Sequence, residues 1–102
     1  MATQVSKALL VRLEALPGKE DDVRAFLNRG LAIVNGEPKT VRWFGIQFGP
    51  SSFGIFDAFP DEDGRQAHLS GDVGKALGEN TGVLFEKPTI EQVDVVAEKQ
   101  PA

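Results

Sequence analysis

The chain has 102 residues, of which 41% are hydrophobic and 25% charged, so we expect one globular domain over residues 1–102, with a core of about 5–97 and a short polar C-terminal tail. Its net charge of −4, with 11 basic residues scattered among 15 acidic ones, argues against nucleic acid as a partner. The absence of cysteine excludes disulfides, thiolate metal sites and cysteine nucleophiles, and a single histidine excludes a multi-histidine metal site within one chain.

No apolar run approaches the roughly 18–20 residues of a membrane span, and the N-terminal residues lack the charged-then-apolar order of a secretion signal. We therefore expect a cytoplasmic protein with no membrane partner. The acidic run 61–64 lacks the later ligands of a calcium loop, and no nucleotide or flavin motif is present, so we expect neither a metal nor an organic cofactor.

In the first third of the chain, apolar residues first occupy every second position and then recur at helical spacing. Residues 7–15 carry leucine and valine at every second position, which predicts a strand ended by Pro17-Gly18. Acidic residues follow Lys19 and suit the positive end of a helix dipole, and apolar residues then recur at helical spacing as far as Val34. We expect this helix to turn Phe26, Leu27 and Leu31 inward, and Gly30 on the same stripe predicts close approach to a sheet.

The second half predicts a hairpin, a helix and a last strand. Runs 40–48 and 53–59 are strand-like and are joined by a short turn-rich link. A helical stretch opens at 60–64, is interrupted at 70–72 and then resumes, and the short apolar run 83–85 is expected under the sheet edge. Residues 89–96 alternate as a final strand. The order predicts an α+β, ferredoxin-like βαββαβ domain with an antiparallel four-stranded sheet.

Both faces of the predicted hairpin are apolar, although two helices can cover only one side of a sheet. Because monomers rarely expose large apolar patches, we expect a second copy of the chain to cover the other side, giving a homodimer through the sheet face. In the first arm Phe44, Ile46 and Phe48 alternate with Val41 and Trp43, and in the second Phe53, Ile55 and Phe59 alternate with Phe56 and Ala58.

Three stretches of the chain, 42–44, 53–59 and 67–70, resemble the antibiotic biosynthesis monooxygenase family of the dimeric α/β-barrel superfamily. The family pattern is an apolar strand ending in an acid and an aromatic residue, then a helix with a histidine and a small hydroxyl residue two places on. Asp57, Phe59, His68 and Ser70 match it. The resemblance implies paired ferredoxin-like subunits, each with a cavity between sheet and helices. Several members oxidise phenols or quinols with dioxygen and no bound cofactor.

His68 is the candidate catalytic residue, because its unperturbed pKa of about 6.5 suits proton transfer near neutrality. It could act as a general base or anchor a phenolate, or it could be a half-buried histidine bonded to backbone or to an acid. Asp57 lies inside an aromatic strand and is expected to have a definite partner, because an unpaired buried carboxylate is costly.

The remaining candidates for substrate binding are aromatic or basic. Trp43, Phe44, Phe56 and Phe59 could line a slot for a flat aromatic ligand, although aromatic residues more often form core. Arg12 and Arg42 could hold an anionic group, or could be solvated or paired with an acid. Asp57 completes this set of predicted substrate-binding residues.

Two functions fit these residues. The first is a cofactor-independent monooxygenase acting on a small aromatic or quinol-like substrate, and the alternative is a non-catalytic dimer that binds a small apolar ligand. The chain has no tyrosine, although quinol-oxidising relatives often place one around the substrate. His68 and Gly78 stand where haem-degrading relatives have a tryptophan and the haem-ligating histidine, which argues against haem degradation.

Overall fold

Four strands form one antiparallel sheet in residues 4–100, the part of the chain that the computed structural model describes. The elements are β1 (Lys7–Glu14), α1 (Glu20–Val34), β2 (Arg42–Gln47), β3 (Ser52–Phe59), α2 (Glu62–Leu69), α3 (Asp72–Asn80) and β4 (Thr89–Asp94). The sheet order is β2-β3-β1-β4, and the α+β, ferredoxin-like βαββαβ prediction is confirmed. The predicted second helical stretch is two helices, α2 and α3.

One face of the sheet is covered by helices and forms the core. The register sets the alternating apolar residues of β1 directly opposite those of β3, so the two central strands present one continuous apolar surface. Residues of α1 and the ring of Phe85, from the predicted apolar run 83–85, pack on this surface. The members of this core include Val11, Leu13, Val23, Phe26, Leu27, Phe53, Ile55, Leu77 and Phe85.

The inward face of α1 is narrower than the sequence predicted. Phe26 and Leu27 are buried as expected, but Leu31 is 44% exposed, so its predicted inward position is wrong. The buried stripe of α1 continues through Gly30 and Val34, and Leu31 lies beside it over a groove along β2. At Gly30 a Cβ atom would lie 3.2 Å from the ring of Trp43, which confirms the predicted close approach of helix and sheet.

An N-cap, a buried arginine and a glycine position α2 and its sharp junction with α3. Asp61 caps α2 by accepting a hydrogen bond from the backbone N–H of Gly64, at 2.9 Å. Arg65 is buried and donates to the carbonyl groups of Ala8 in β1 and Val93 just inside the end of β4. A Cβ atom at Gly74 would collide with the carbonyl oxygen of Leu69, so glycine is what lets α3 turn back so closely on α2.

The other face of the sheet, called the open face here, is uncovered in the single chain. It carries apolar side chains, as the hairpin pattern predicted: Phe44 is 51% and Phe48 is 49% exposed, and Phe56 lies opposite Phe44 in the register. The Arg12 guanidinium stacks on the Phe48 ring, 4.6 Å from its centroid. No helix within residues 4–100 has the length and apolar character needed to cross a membrane.

Candidate functional site

A cavity of about 450 Å³ lies between the covered face of the sheet and the α2–α3 pair. Its walls are almost entirely apolar, and its polar groups are the side chains of Asp57, His68, Thr81 and Lys87. The Thr81 hydroxyl already donates to the carbonyl of Leu77, and both ring nitrogens of His68 contact carboxylates, which leaves the acid and the lysine for a ligand. The apolar walls come from β1, β3, α3 and β4, and include Leu9, Val11, Ile55, Val73, Leu77 and Ile90.

His68 lines this cavity and lies between two carboxylates. Its Nε2 atom is 2.9 Å from Oδ2 of Asp57, and its Nδ1 atom is 2.6 Å from Oε1 of Glu37. β3 supplies Asp57, α2 supplies His68, and the α1–β2 loop supplies Glu37. The Thr40 hydroxyl donates to the same Glu37 oxygen at 2.8 Å and so holds that carboxylate in place. The three ionisable groups therefore form a chain with the imidazole at its centre.

Asp57 is the unusual member of this chain. The residue is 1% exposed, and within residues 4–100 neither of its carboxylate oxygens has a well-aligned hydrogen-bond donor. Its close contact with His68 is thus an ion pair in which the Nε2–H group is not aligned with Oδ2. A buried carboxylate without donors is costly, so an oxygen of Asp57 is available to a ligand that brings a donor.

The electrostatics of the chain follow from burial and from the two acids. Burial is the largest single influence on the His68 pKa and lowers it, but the Asp57 and Glu37 carboxylates together outweigh burial and hold that pKa above its ordinary value. Burial is also the largest influence on Asp57 and raises its pKa, while the His68 contact offsets this only in part. The arrangement favours an imidazolium with a carboxylate on either side.

The predicted site residues divide into separate groups. His68 and Asp57 come together as described, and the Phe59 ring packs against His68 with centroids 5.3 Å apart. Trp43 does not line the cavity but lies in a groove between α1 and β2.

Four further candidates lie on the open face, across the sheet from His68, so the structure does not bring them to its cavity. Phe44 is paired with Phe56 in the register, Arg42 with Ala58, and Arg12 with Gly54. Whether any of these four binds a substrate stays a prediction.

Two residues of the site were missed in the sequence, Glu37 and Lys87. Glu37 precedes a proline and was interpreted only as part of the helix end, and 31 positions separate it from His68. The predicted β2–β3 hairpin could have indicated the contact of Glu37 with His68. In this hairpin β2 begins beside the end of β3, which brings the α1–β2 loop next to α2. Within the described residues no three acidic or histidine side chains are grouped to hold a metal ion, since Asp57 and Glu37 contact opposite nitrogens of His68.

Comparisons with known proteins extend this picture. No protein-family model matches the chain, and no curated protein matches it significantly. A protein of unknown function from Nitrosomonas europaea is 48% identical over 98% of both chains, with a TM-score of 0.92. A candidate antibiotic biosynthesis monooxygenase from Caulobacter crescentus is 20% identical over 94% of both chains, with a TM-score of 0.78. A second, from Deinococcus radiodurans, is 13% identical over 94% of this chain and 98% of its own, with a TM-score of 0.79. These two likenesses show a common fold.

Proposed function

The chain belongs to the same family as the Nitrosomonas europaea protein and has the fold of the candidate antibiotic biosynthesis monooxygenases, and we propose that it is a cofactor-independent monooxygenase for a small aromatic or quinol-like substrate. The observation that carries this proposal is Asp57, a buried carboxylate with no aligned donor in the described residues, at the end of an apolar cavity. A phenolic hydroxyl on a flat apolar body supplies what this cavity lacks, a hydrogen-bond donor.

The chemistry assigned to the site is proton removal followed by oxidation of the substrate itself. Asp57 accepts the hydroxyl proton, and the resulting phenolate is electron-rich enough to reduce dioxygen. For a dihydroxyaromatic substrate, one oxygen atom enters the ring and the other leaves as water, giving a hydroxyquinone. The substrate supplies all four electrons, so the reaction needs no bound reductant. The apolar walls keep water away from the reactive intermediate.

This proposal changes the role predicted for His68. Both ring nitrogens already contact carboxylates, so the imidazole has no free nitrogen with which to take a proton from a substrate. We assign proton acceptance to Asp57, and we assign to His68 the compensating positive charge that lets a buried carboxylate remain ionised.

Oxygen uptake with a panel of dihydroxybenzenes and dihydroxynaphthalenes tests the proposal. For a substrate that is consumed, Asp57→Asn should lower kcat/KM by about 10²- to 10⁴-fold, the usual contribution of a positioned proton acceptor. Asp63→Asn is the matched control, because Asp63 is exposed in the first turn of α2 and does not line the cavity. Uptake that is absent from the wild type, or equal in the wild type and Asp57→Asn, would contradict the proposed activity.

The apolar lining also fits the alternative, a non-catalytic protein that binds a small apolar ligand. Calorimetry with the same panel separates the two functions. A binder would give saturable heat that weakens in Asp57→Asn, with no oxygen consumed during hours of incubation. The monooxygenase would consume oxygen in proportion to the substrate added.

We further propose that the open face pairs with the open face of a second copy. The support is the pair of half-exposed rings, Phe44 and Phe48, on a face of the sheet that no helix covers. Burying such a face against its symmetric copy removes apolar surface from water at a gain of about 25 cal/mol per Å². The cavity lies on the other side of the sheet, so pairing would leave it available to a ligand.

A further inference from the structure

We propose that Glu37 is a positioning residue of this site, which holds His68 as a cation between two carboxylates and thereby keeps Asp57 ionised inside the cavity. The inference rests on the proposed role of Asp57 as proton acceptor and adds the group that makes this role possible. Glu37 does not line the cavity, so it acts through His68 rather than on a substrate.

The position of Glu37 is fixed by its own loop. Its backbone N–H donates to Val34 at the end of α1, and its carboxylate accepts from the Thr40 hydroxyl at 2.8 Å. The same carboxylate oxygen is 2.6 Å from Nδ1 of His68, shorter than the 2.9 Å between His68 Nε2 and Asp57. Glu37 therefore makes the closer of the two contacts, and the loop geometry holds it there without a ligand.

The charges around His68 show why a second acid matters. Asp57 faces it from β3 and Glu37 from the α1–β2 loop, Lys39 and Asp72 lie in the surface depression beside Glu37, and Lys87 lies in the cavity. Burial acts against the charged form of the ring. With Asp57 as its one contacting acid, the histidine would lose much of the attraction that offsets burial, and the buried Asp57 would then lose its cation.

The His68 ring lies between the cavity and the protein surface. One side of the ring lines the cavity with Asp57, and the other lines a shallow surface depression with Glu37, where the Glu37 side chain is partly exposed. The charge state of a group inside an apolar cavity is thus set by a carboxylate that solvent reaches from outside. The carboxylate that stabilises the charge of His68 thus lies outside the cavity that holds Asp57.

The experiment is an NMR titration of His68, which is the one histidine of the chain and so gives a single, unambiguous set of imidazole signals. In the wild type at pH 7 we expect both ring nitrogens to carry protons. In Glu37→Gln the titration midpoint should move to lower pH and the Nδ1 proton signal should be lost at pH 7. Asp72→Asn, in the same depression but without contact to the ring, is the control and should titrate like the wild type.

A second variant, Thr40→Val, keeps the inference testable if Glu37→Gln does not fold. Thr40→Val removes the hydroxyl that holds Glu37 with little change in shape, and should shift the midpoint in the same direction by a smaller amount. An unchanged midpoint in whichever variant folds would overturn the inference. The titration needs no substrate, so it stands even where the wild type consumes no oxygen. Where oxygen is consumed, Glu37→Gln should lower kcat at pH 7 with little change in KM, because Glu37 does not touch the substrate.

Discussion

The two faces of the β2–β3 hairpin carry the same kind of side chain and give it opposite environments. Phe53 and Phe59 on the covered face are almost completely buried, while Phe44 and Phe48 on the open face are each about half exposed. The difference is one of register, because neighbouring residues of a strand point to opposite sides. An aromatic-rich hairpin therefore does not by itself identify a ligand site: on one face its rings belong to the buried core, and on the other they are half exposed, where we propose that a second copy binds.

The largest effect should come from truncating the covered face. Phe53→Ala removes a fully buried ring and should lower the free energy of unfolding by about 3–5 kcal/mol, measured by urea denaturation. Phe44→Ala should cost less, and its cost should shrink as the protein is diluted, because that ring is half exposed in the single chain and would be buried only in the proposed dimer. If both variants lost the same free energy of unfolding at every protein concentration, the proposed difference between a core face and an associating face would be wrong.

The next effect concerns association. Phe44→Glu places a charge in the open face and should convert a particle of about 22 kDa, twice the 11.0 kDa chain, into one of 11.0 kDa in sedimentation at micromolar concentration. Val83→Glu is the control, since Val83 is an exposed apolar residue in the turn between α3 and β4 and belongs to no strand. A wild type that sediments as a monomer would contradict the proposed pairing.

A smaller effect should come from Gly54, the point where the open face is closely packed. A Cβ atom there would lie 2.6 Å from the carbonyl oxygen of Val11 and 2.8 Å from the Phe48 ring. Gly54→Ala should therefore lower the free energy of unfolding by about 1–3 kcal/mol, the usual cost of overpacking. Gly49→Ala is the matched control, because nothing lies within 4 Å of its Cβ position. A stability loss as large at Gly49 would show that crowding against Val11 and Phe48 is not the cause of the loss at Gly54.

The smallest effect is a dependence of stability on pH. The folded pKa of His68 is raised above its unfolded value of about 6.5, so its contribution to stability is complete below that value and is lost as pH rises through the folded pKa. Urea midpoints should therefore fall on the alkaline side of neutrality. His68→Gln should be less stable near pH 6 and should lack this fall. A wild-type midpoint that is flat or rises from pH 6 to 9 would show that the sign is wrong.

The fold could be predicted because its signals are local. Alternation in β1, the acidic start of α1 and the glycine on its buried stripe each depend on a few neighbouring residues, and each is confirmed. The prediction for Leu31 was wrong for a geometric reason. Its spacing is helical, but the sheet ends at β2 and does not cover the side of α1 on which Leu31 lies. The last strand was predicted to reach Val96 and ends at Asp94.

The site could be predicted only in part, because it depends on contacts between distant elements. A definite partner was expected for Asp57, and the structure supplies His68. The contact of Glu37 with His68 depends on how a loop between α1 and β2 meets α2, which no spacing within either segment encodes. The division of the aromatic and basic candidates between two faces required the strand register.

The cavity is lined partly by a central strand of the sheet and partly by elements at its margin. Asp57 belongs to β3, which has β2 on one side and β1 on the other, whereas Val73, Leu77 and Ile90 belong to the short α3 and to β4, which pairs with β1 at the margin of the sheet. Of these wall residues, Ile90 is half exposed at the sheet margin, so substitutions there can reshape the volume offered to a ligand with the least disturbance of the core around Asp57. Directed evolution of this scaffold toward new ligands should therefore begin at Ile90, which is 48% exposed, because Val73 and Leu77 are buried and their truncation would lower the stability of the fold.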